Sequence, residues 1–438
     1  MRYRTRRLLT GATLFAIACA AALGATNASA ASQHRTAKIT KISACGYVAT
    51  KAGTYELTKS IADSGSGTCI VLVGSNITLY LDSHTITGTG TDTCLVVASG
   101  GSSTSVKDTV IGGTMPKPVA KKGTKPKAAK PATLSNCHTG LAVAGTSGTT
   151  ASNLTIVAPA NTGVVAEFAS GANFNNINVP MHAANSGVGF VLEAGADNVV
   201  TNSTVNYDGS QYGFIAADET GDTFVHDTVN DPYNNAGSAG TGFLDTNGSR
   251  DTWSHCTSSG QLNGFSLAPN GSGPVTATYD TAKGSTATGS IGFSVVGAFQ
   301  SADSASPFHT LLSHNTTTGF EIGFKDDNGA VPGAVAETWT NNTADNYSGA
   351  GFFINYPTDY TMTGNIADAN TSGKKYTGGS TYGFALAHPS ANNPFAVFAN
   401  NQAYDSGFGF YSGGTVVGGK GNIAKRNKYN SHGVEITG

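Results

Sequence analysis

A Gly-Phe pair recurs through the second half of the chain, and this repeat constrains the fold more than any other feature. It begins at Gly189-Phe190 and returns until Gly409-Phe410, with successive phenylalanines 22 to 32 residues apart. Such a period, in segments poor in helix formers, indicates short stacked β units that form the coils of a solenoid. The phenylalanines of the predicted ladder are Phe190, Phe214, Phe243, Phe265, Phe293, Phe320, Phe352, Phe384 and Phe410.

A second column of mostly short polar residues accompanies the first. In regular coils it lies twelve or thirteen residues after the phenylalanine. Residues stacked on successive coils, about 4.8 Å apart, would form an inward aromatic ladder and an asparagine ladder whose amides bond to each other and to the turns. The predicted members of the polar column are Asn202, Asp227, Cys256, Asp280, Asn315, Asn342, Asn365, Asn401 and Asn427.

Two earlier coils continue the pattern without phenylalanine. The segments 68–72 and 93–97 superimpose at a spacing of 25 residues, and their cysteines take the place of the glycine in the later pairs. The segment 45–61, with alternating stretches closed by a glycine, is suitable as an N-terminal cap. The inward ladder is therefore expected to start at Ile70, Leu95, Leu141 and Val164.

The run from Asn76 to Gly88, NITLYLDSHTITG, resembles a known family. It is similar to the first full coil of secreted parallel β-helix repeat proteins of the pectin-lyase-like superfamily, which reads like V-T-L-D-L-N-G-H-T-I-T-G; Tyr80, Asp82 and Ser83 depart from that pattern. The resemblance implies an all-β, single-stranded right-handed parallel β-helix over residues 45–438, with about twelve to fifteen coils. Such repeat motifs specify fold far better than activity.

The N-terminus has the features of an export signal. Four arginines precede an apolar run from Leu8 to Ala25 and a small-residue cleavage motif that ends at Ala30. We predict a secretory signal peptide at residues 1–30, a short linker at 31–44, and an extracellular protein without membrane insertion after cleavage. Cleavage would leave 21 basic and 27 acidic residues, a net charge of −6.

Residues 115–132 are rich in lysine, proline and alanine and are predicted to form a loop insertion extruded from one coil. Two interpretations stay open: a solvated, mobile loop, or a tether to an anionic cell-wall polymer, a phosphate-rich surface or nucleic acid. Aromatic residues are not interleaved with the lysines. A nucleic-acid partner is therefore not expected.

Five cysteines remain after cleavage. Export makes disulfides plausible, and the first four cysteines allow three pairings. A Cys69–Cys94 bridge would join neighbouring coils, whereas Cys45–Cys69 with Cys94–Cys137 would staple the cap; we favour the second arrangement and leave the first open. The fifth, Cys256, lies in the polar column and is expected to be a buried, inert thiol.

Three aspartates stand five residues before successive members of the polar column: Asp197, Asp222 and Asp251. Stacked like charges are unfavourable unless they reach solvent, cap turns or hold a hard cation such as Ca²⁺. Pectate-lyase-like members of the superfamily combine calcium on adjacent coils with a proton-accepting basic residue. The resemblance implies these three as metal ligands and Arg250 as the base, while turn capping with an ion pair from Arg250 to Asp251 or Asp245 stays open.

A second candidate site comes from loop length. The spacing between the two columns rises to 22 residues from Phe293 to Asn315 and from Phe320 to Asn342, and adjacent long loops would form a wall. Asp326 and Asp327 resemble the paired aspartates of polygalacturonase-like hydrolases, although the accompanying N-T-D, G-H-G and R-I-K motifs are absent. The candidate substrate-binding residues are Trp253, Trp339 and Asp303.

The expected partner is an extracellular polysaccharide or cell-wall glycan, contacted along an exposed aromatic face. Between residues 140 and 410 there are five basic and 21 acidic residues, so a polyanionic substrate would need bridging cations. Two classes stay open: a calcium-assisted lyase or carboxylate-pair hydrolase, and a non-catalytic glycan-binding or surface-structural solenoid. The aromatic face is predicted to contain Tyr207, Tyr212, Trp253, Trp339 and Tyr356.

Overall fold

The computed structural model describes residues 38–435 apart from 66, 100–105, 108–109, 113–129, 182–186, 208–211, 232–239, 270–272, 285–286, 297–307, 327–334, 356–359, 370–380, 388–396 and 418. Within these residues the secondary structure is entirely β, and every strand pair is parallel between successive coils. Residues Lys38–Gly438 form one compact unit. The predicted parallel β-helix fold is confirmed.

Each coil contributes one strand to a first sheet and then two strands, or one long strand, to a second sheet. A typical coil has Val188–Glu193 in the first sheet, followed by Val199–Thr201 and Thr204–Asn206 in the second. Each of these pairs with the equivalent strand of the next coil. One coil therefore adds one rung to each of three rows of strands.

In the described ranges the first sheet has fifteen strands: Tyr47–Ala49, Ile70–Leu72, Thr93–Ala98, Thr139–Ala144, Thr162–Glu167, Val188–Glu193, Tyr212–Ala217, Thr241–Gly248, Asn263–Pro269, Ile291–Val295, Ile322–Asp326, Ala350–Ile354, Tyr382–Leu386, Phe408–Val417 and Tyr429–Glu435. Two further short strands, Val106–Lys107 and Thr146–Ser147, pair with each other in a separate two-stranded sheet.

The second sheet has twenty-six strands among the same residues: Thr40–Ile42, Gly53–Leu57, Ile61–Ala62, Ile77–Tyr80, Thr85–Thr87, Val110–Gly112, Ala132–Ser135, Thr150–Val157, Asn173–Pro180, Val199–Thr201, Thr204–Asn206, Thr223–Val225, Thr228–Asn230, Thr252–Ser254, Thr257–Ser259, Val275–Thr278, Thr281–Lys283, Phe308–Ser313, Thr316–Thr318, Val335–Thr340, Thr343–Asp345, Thr361–Thr363, Ile366–Asp368, Val397–Ala399, Gln402–Tyr404 and Ile423–Lys425.

The N-terminal boundaries differ from the expectation. Strand Thr40–Ile42 lies inside the stretch predicted as linker and pairs with Gly53–Leu57. Strands of the predicted cap, 45–61, are ordinary members of the two sheets. Most of the lysine-rich insertion lies outside the described residues; its end, from residue 132, starts strand Ala132–Ser135.

The inward aromatic ladder is present, with one correction. Ring centroids of successive ladder phenylalanines lie 4.4 to 5.1 Å apart, in stacked geometry. Phe293 pairs with Phe324 and Phe324 with Phe352, so Phe324 rather than Phe320 is the ladder residue of that coil. Ile70, Leu95, Leu141 and Val164 lie on the rungs before Phe190 as predicted, and Tyr47 lies one rung before Ile70.

The polar ladder also forms, and its register corrects two members. Each amide oxygen accepts the backbone N–H of the preceding coil; for example, Asn315 N–H donates to Asn342 Oδ1 at 3.0 Å. Each amide nitrogen donates to a carbonyl behind it, as Asn315 Nδ2 does to Ala277 at 2.8 Å. Asn202 and Asn427 were predicted wrongly: Ser203 and Asn422 take those rungs. The ladder is Ser203, Asp227, Cys256, Asp280, Asn315, Asn342, Asn365, Asn401 and Asn422.

The cysteines agree with the favoured pairing. Disulfides join Cys45 to Cys69 and Cys94 to Cys137. Cys256 is free and buried, and burial raises the pKa of its thiol, which makes it unreactive. Among the described residues there is no helix with the length and apolar character needed to cross a membrane.

Candidate functional site at the acidic corner

The densest group of carboxyl side chains lies where four successive coils turn from the first sheet into the second. We call this the acidic corner, residues 167–172, 193–198, 217–222 and 246–251. Each turn has two left-handed positions, and the first holds Phe168, Ala194, Asp218 and Asn247, with φ between 52° and 62°. Because the backbone conformation repeats, equivalent side chains of the four turns fall into columns along the solenoid.

An outer row of three carboxyl groups lies along this corner. Glu167 and Glu193 are register partners on adjacent strands, and Asp218 follows in the next turn with its carboxylate hydrogen-bonded by Asn247 Nδ2. Burial, then the neighbouring charges of Glu167 and Asp218, raise the pKa of Glu193 above its usual range. None of the three forms a salt bridge with a described lysine or arginine. The row therefore offers acceptors to hydrogen-bond donors of a ligand.

Phe168, next to Glu167, is the most exposed large apolar side chain of the described chain, at 69%. Its φ of 52° lies in the left-handed region, which costs a residue other than glycine about 1–2 kcal/mol. The equivalent positions on the two adjacent coils are Gly145 and Ala194. Neither neighbour has a ring that could stack on Phe168, so most of the ring surface is accessible to a ligand.

An inner column lies directly beneath this row. The register aligns Asn198, Asp222 and Asp251. Ala172 N–H donates to Asn198 Oδ1 at 3.0 Å, Asn198 N–H to Asp222 Oδ1 at 2.8 Å, and Asp222 N–H to Asp251 Oδ1 at 2.8 Å. These side-chain oxygens accept hydrogen bonds from turn N–H groups that would otherwise be unpaired. One oxygen of each aspartate therefore caps the turn of the preceding coil.

Further buried acids lie beside the inner column, in which Asp222 Oδ2 and Asp251 Oδ2 are buried without a hydrogen-bond partner. Glu219 contacts Asp222, and Asp245 contacts Asp251. Burial raises the pKa of Asp222 to about 9 and that of Glu219 to about 7. It raises the pKa of Asp245 well above its usual range and that of Asp251 to about 6. Burial therefore favours the neutral form of these carboxyl groups.

The predicted column of Asp197, Asp222 and Asp251 is wrong at its first member. Asp197 is an exposed residue at the second left-handed position and aligns with Gly221 and Arg250. No group of three or more His, Cys, Asp or Glu side chains in the described part of the chain is arranged to hold a metal ion. The geometry therefore gives a Ca²⁺ site at these residues no support.

Arg250 lies on the outside of the same corner, with φ of 61°. It forms no salt bridge with any described acid, so the ion pair to Asp251 or Asp245 is absent. Both of those carboxyl groups are buried. Instead of Arg250, the Asp222 N–H donates to Asp251 and Trp253 Nε1 donates to Asp245.

The second candidate site is dispersed in the structure. Asp326 is the last residue of strand Ile322–Asp326 and is buried in the interior beside Glu337, whose pKa burial raises well above its usual range. Asp327 and Asp303 lie outside the described residues. An exposed Asp326–Asp327 acid pair is therefore not formed as predicted, because the inward alternation of the strand takes Asp326 into the core.

The predicted aromatic face is also mostly core. Trp253, Trp339 and Tyr207 are buried. Trp253 Nε1 points at Asp245 Oδ2, at 3.4 Å, and the register places Trp339 at the same inward position three coils on. Tyr212 is 37% exposed at the start of its strand, and Tyr356 lies outside the described residues. Neither tryptophan can act as a sugar platform.

Sequence reasoning missed Glu167, Phe168 and Glu193. A usable signal existed, because both glutamates stand three residues after an inward ladder residue, Val164 and Phe190. Counting three residues forward from each ladder residue would have aligned Glu167 with Glu193. It would also have shown that Phe168 directly follows the first of these glutamates.

Neither the protein-family models nor the curated proteins include a match to this chain. Solved structures that it resembles include the catalytic domain of a GH87 alpha-1,3-glucanase in complex with nigerose (12% identity, TM-score 0.38, 74% of this chain and 59% of that one). Two others are the Dettilon tailspike protein (12%, 0.34, 82% and 62%) and a mutant of an alginate lyase of the PL6 family (8%, 0.25, 92% and 92%). This chain thus spans less than two thirds of the glucanase domain, and similarities this weak do not identify an activity.

Proposed function

We propose that the protein is secreted and that it binds or degrades an extracellular polysaccharide at the acidic corner. The observation that carries the proposal is Phe168. Its ring is 69% exposed on a left-handed backbone between Gly145 and Ala194. Residues other than glycine that are held in a strained backbone region are enriched at ligand sites, and the apolar face of a sugar ring fits an exposed aromatic ring.

The carboxyl groups beside Phe168 supply the polar half of such a site. Glu167 and Glu193 are partly exposed and Asp218 is exposed. Carboxylates accept hydrogen bonds from sugar hydroxyls. The row is negatively charged and has no described counterion, so it repels a polyuronate. The preferred ligand at this corner is therefore a neutral glycan.

Of the two catalytic forms, glycoside hydrolysis has the better support. It needs one protonated and one ionised carboxyl group flanking the scissile bond. Glu193 has a raised pKa because of burial and the charges of Glu167 and Asp218, and Glu167 lies on the adjacent strand, about 4.8 Å away in the backbone. In this form Glu193 donates a proton to the leaving oxygen and Glu167 is the base or nucleophile.

Binding is tested by affinity electrophoresis in gels that contain neutral glucans. Phe168→Ala is expected to abolish the retardation of the parent protein. The matched control is Tyr279→Ala, since Tyr279 is also an exposed aromatic residue with a left-handed backbone, with φ of 58° and 53% exposure, but its ring is stacked between His255 and His314. Equal retardation of Phe168→Ala and the parent removes this corner as the binding site.

Catalysis is tested on the same glycans by release of reducing ends. Glu193→Gln is expected to abolish hydrolysis while retaining gel retardation. Retardation of the parent without any product supports the alternative, a non-catalytic glycan-binding or surface-structural solenoid. Full activity in Glu193→Gln excludes this carboxyl group as the acid.

A further inference from the structure

An apolar stripe runs along the outer surface of the first sheet. In the first eight strands one outward position is aliphatic on every rung, and the register aligns these residues from coil to coil. Val48, at the start, is 50% exposed, Val96 is 8% exposed, and the other six are partly exposed. The members of the apolar stripe are Val48, Val71, Val96, Ala142, Val165, Val191, Ile215 and Leu244.

The fold does not require this column to be apolar. The same outward column continues on the next three strands as Ser266, Ser294 and Lys325. In the second sheet, the outward positions of the same coils are largely threonine, for example Thr223 and Thr228. Parallel sheets with apolar side chains on both faces occur almost only where both faces are covered. The apolar stripe is therefore the kind of surface that a partner covers.

Short side chains flank the apolar stripe. Thr162 precedes it and Ala144 follows it on neighbouring strands. Glu167 and Glu193, each at the end of its strand, are the charged outward residues of these eight strands. Because the surface is short-chained and nearly uncharged, a second sheet can pack on it at the usual distance of about 10 Å.

The charge of the chain changes sign at the centre of the apolar stripe, between Ala142 and Val165. Residues 38–160, which span the first four rungs, contain eleven basic and five acidic residues, whereas residues 161–260, which span the next four, contain one basic and eleven acidic residues. Six of those eleven acids are buried, and the remaining five still outnumber the single arginine. A surface that complements both halves has its charges in the reverse order.

We propose that a second copy of the chain covers the apolar stripe, turned end over end about a two-fold axis that runs along the strand direction. Val48 then faces Leu244 of the second copy, and Ala142 faces its Val165. The basic half of each copy lies along the acidic half of the other, whereas solenoids packed in the same direction would bring like halves together. This interface goes beyond the function proposed above.

The size of the apolar stripe suits such a dimer. Eight rungs of about 4.8 Å give a length of about 38 Å, and strands of about five residues give a width of about 16 Å. Each copy therefore buries about 600 Å², or about 1,200 Å² for the pair, which is the lower end of the range for specific, stable interfaces. In the reversed arrangement Glu167 and Glu193 lie against the rungs of Ala144 and Ala98, so these glutamates do not face each other.

The test is the mass of the full chain by sedimentation equilibrium over a range of concentrations, and the parent is expected to be a dimer. Val165→Lys places two ammonium groups at the centre of the interface, and Lys325 shows that the folded sheet accepts lysine in this column. The dissociation constant of the dimer is expected to rise about a hundredfold or more. Val191→Lys is a second variant with the same expectation, and circular dichroism checks that both stay folded. The matched control is Ser294→Lys, in the same column beyond the apolar stripe, which is expected to dimerise like the parent.

Cross-linking tests the orientation. Oxidised glutathione is expected to join two copies of the Val48→Cys, Leu244→Cys double variant and to leave each single variant unlinked, because Val48 does not face itself. Cross-linking of Val48→Cys alone would overturn the reversed arrangement.

The interface itself is overturned by a monomeric parent, by lysine variants that dimerise like the parent, or by a monomeric Ser294→Lys protein. A monomeric parent whose retention by neutral glucans is lost in Val165→Lys would assign the apolar stripe to a glycan instead. Phe168→Ala is expected to remain dimeric, so the interface and the glycan site at the acidic corner can fail separately.

Discussion

Replacing Asp227 by asparagine is expected to stabilise the protein, and increasingly so as the pH rises. Asp227 holds a ladder position that asparagine fills in the later coils. Its Oδ1 accepts the Ser203 N–H at 2.7 Å, whereas its Oδ2 is buried without a hydrogen-bond partner. At the equivalent position Asn315 donates its amide to a carbonyl at 2.8 Å. An amide at position 227 retains the first bond and supplies the missing donor.

The magnitude follows from the protonation of Asp227. Burial raises the pKa of this carboxyl from 3.8 to about 8. Because the folded-state value is the higher one, Asp227 destabilises the fold progressively as the pH rises from about 4 to about 8, and its contribution is constant below the unfolded value. Each pH unit within that window is equivalent to about 1.4 kcal/mol. At pH 7 the asparagine variant avoids a cost on the order of 4 kcal/mol, and at pH 4 almost none.

The assay is urea unfolding at pH 4.5, 6 and 7.5, followed by the emission of Trp253 and Trp339, both of which are buried. The stability difference between Asp227→Asn and the parent is expected to widen with pH. Asp197→Asn is the control, since Asp197 is exposed and its change should shift stability by no more than about 0.5 kcal/mol. A difference that is the same at all three pH values, or a less stable Asp227→Asn protein at pH 7.5, would refute the reasoning.

Three further substitutions test the packing, each by thermal melting against the parent. Phe265→Ala removes a ring stacked at 4.6 and 4.4 Å on its two neighbours and is expected to cost about 3–5 kcal/mol; a loss below about 1 kcal/mol would mean that the ladder does not pack as a core. Gly213→Ala would place a methyl group 2.5 Å from a backbone carbonyl and against Val229, so a variant that melts with the parent contradicts the close approach of the coils. Exchanging Cys94 and Cys137 for serine opens a bridge across 43 residues and should cost about 4 kcal/mol; unchanged melting, with the parent shown to be oxidised, would contradict the bridge.

The fold could be predicted because its period is set by the core. In each coil, the position that faces a carbonyl of the next coil accepts only a glycine or another small residue. The position two places after the start of the first-sheet strand accepts a large apolar residue, as Phe190 and Phe214 show. Phe320 was misassigned because Gly319-Phe320 and Gly323-Phe324 are both Gly-Phe pairs, four residues apart. Only pairing across the sheet distinguishes Phe324 as the ladder residue.

The errors in the candidate site have one origin. Asn202 is a better hydrogen-bonding residue than Ser203, so it was taken as the ladder member, and counting back from it gave Asp197 in place of Asn198. In the structure Asn202 occupies a left-handed turn position, with φ of 53°, where asparagine is also favoured. A single sequence does not show whether an asparagine is present for a ladder hydrogen bond or for a left-handed turn.

The direction of a side chain was the other information that the sequence lacked. Trp253 and Asp326 belong to residue types that are common on binding surfaces, yet both lie at inward positions of short strands. Inward and outward alternate every residue in a strand, so an uncertain register of one residue reverses the assignment. Phe168 is the opposite case, an apolar residue that lies outside the strand and therefore outside the core.

The regular spacing of strands in the first sheet also fixes distances along the solenoid. Strand Thr162–Glu167, which leads into Phe168, is the fifth of its fifteen strands, and Tyr429–Glu435 is the fifteenth. Ten rungs of about 4.8 Å therefore place Phe168 about 50 Å along the stack from the last of these strands. A glycan chain that is bound at Phe168 and runs parallel to the stack would pass one outward position of each coil at every rung. Its contacts would recur at a fixed spacing, and its avidity would depend on whether its own repeat matches that spacing.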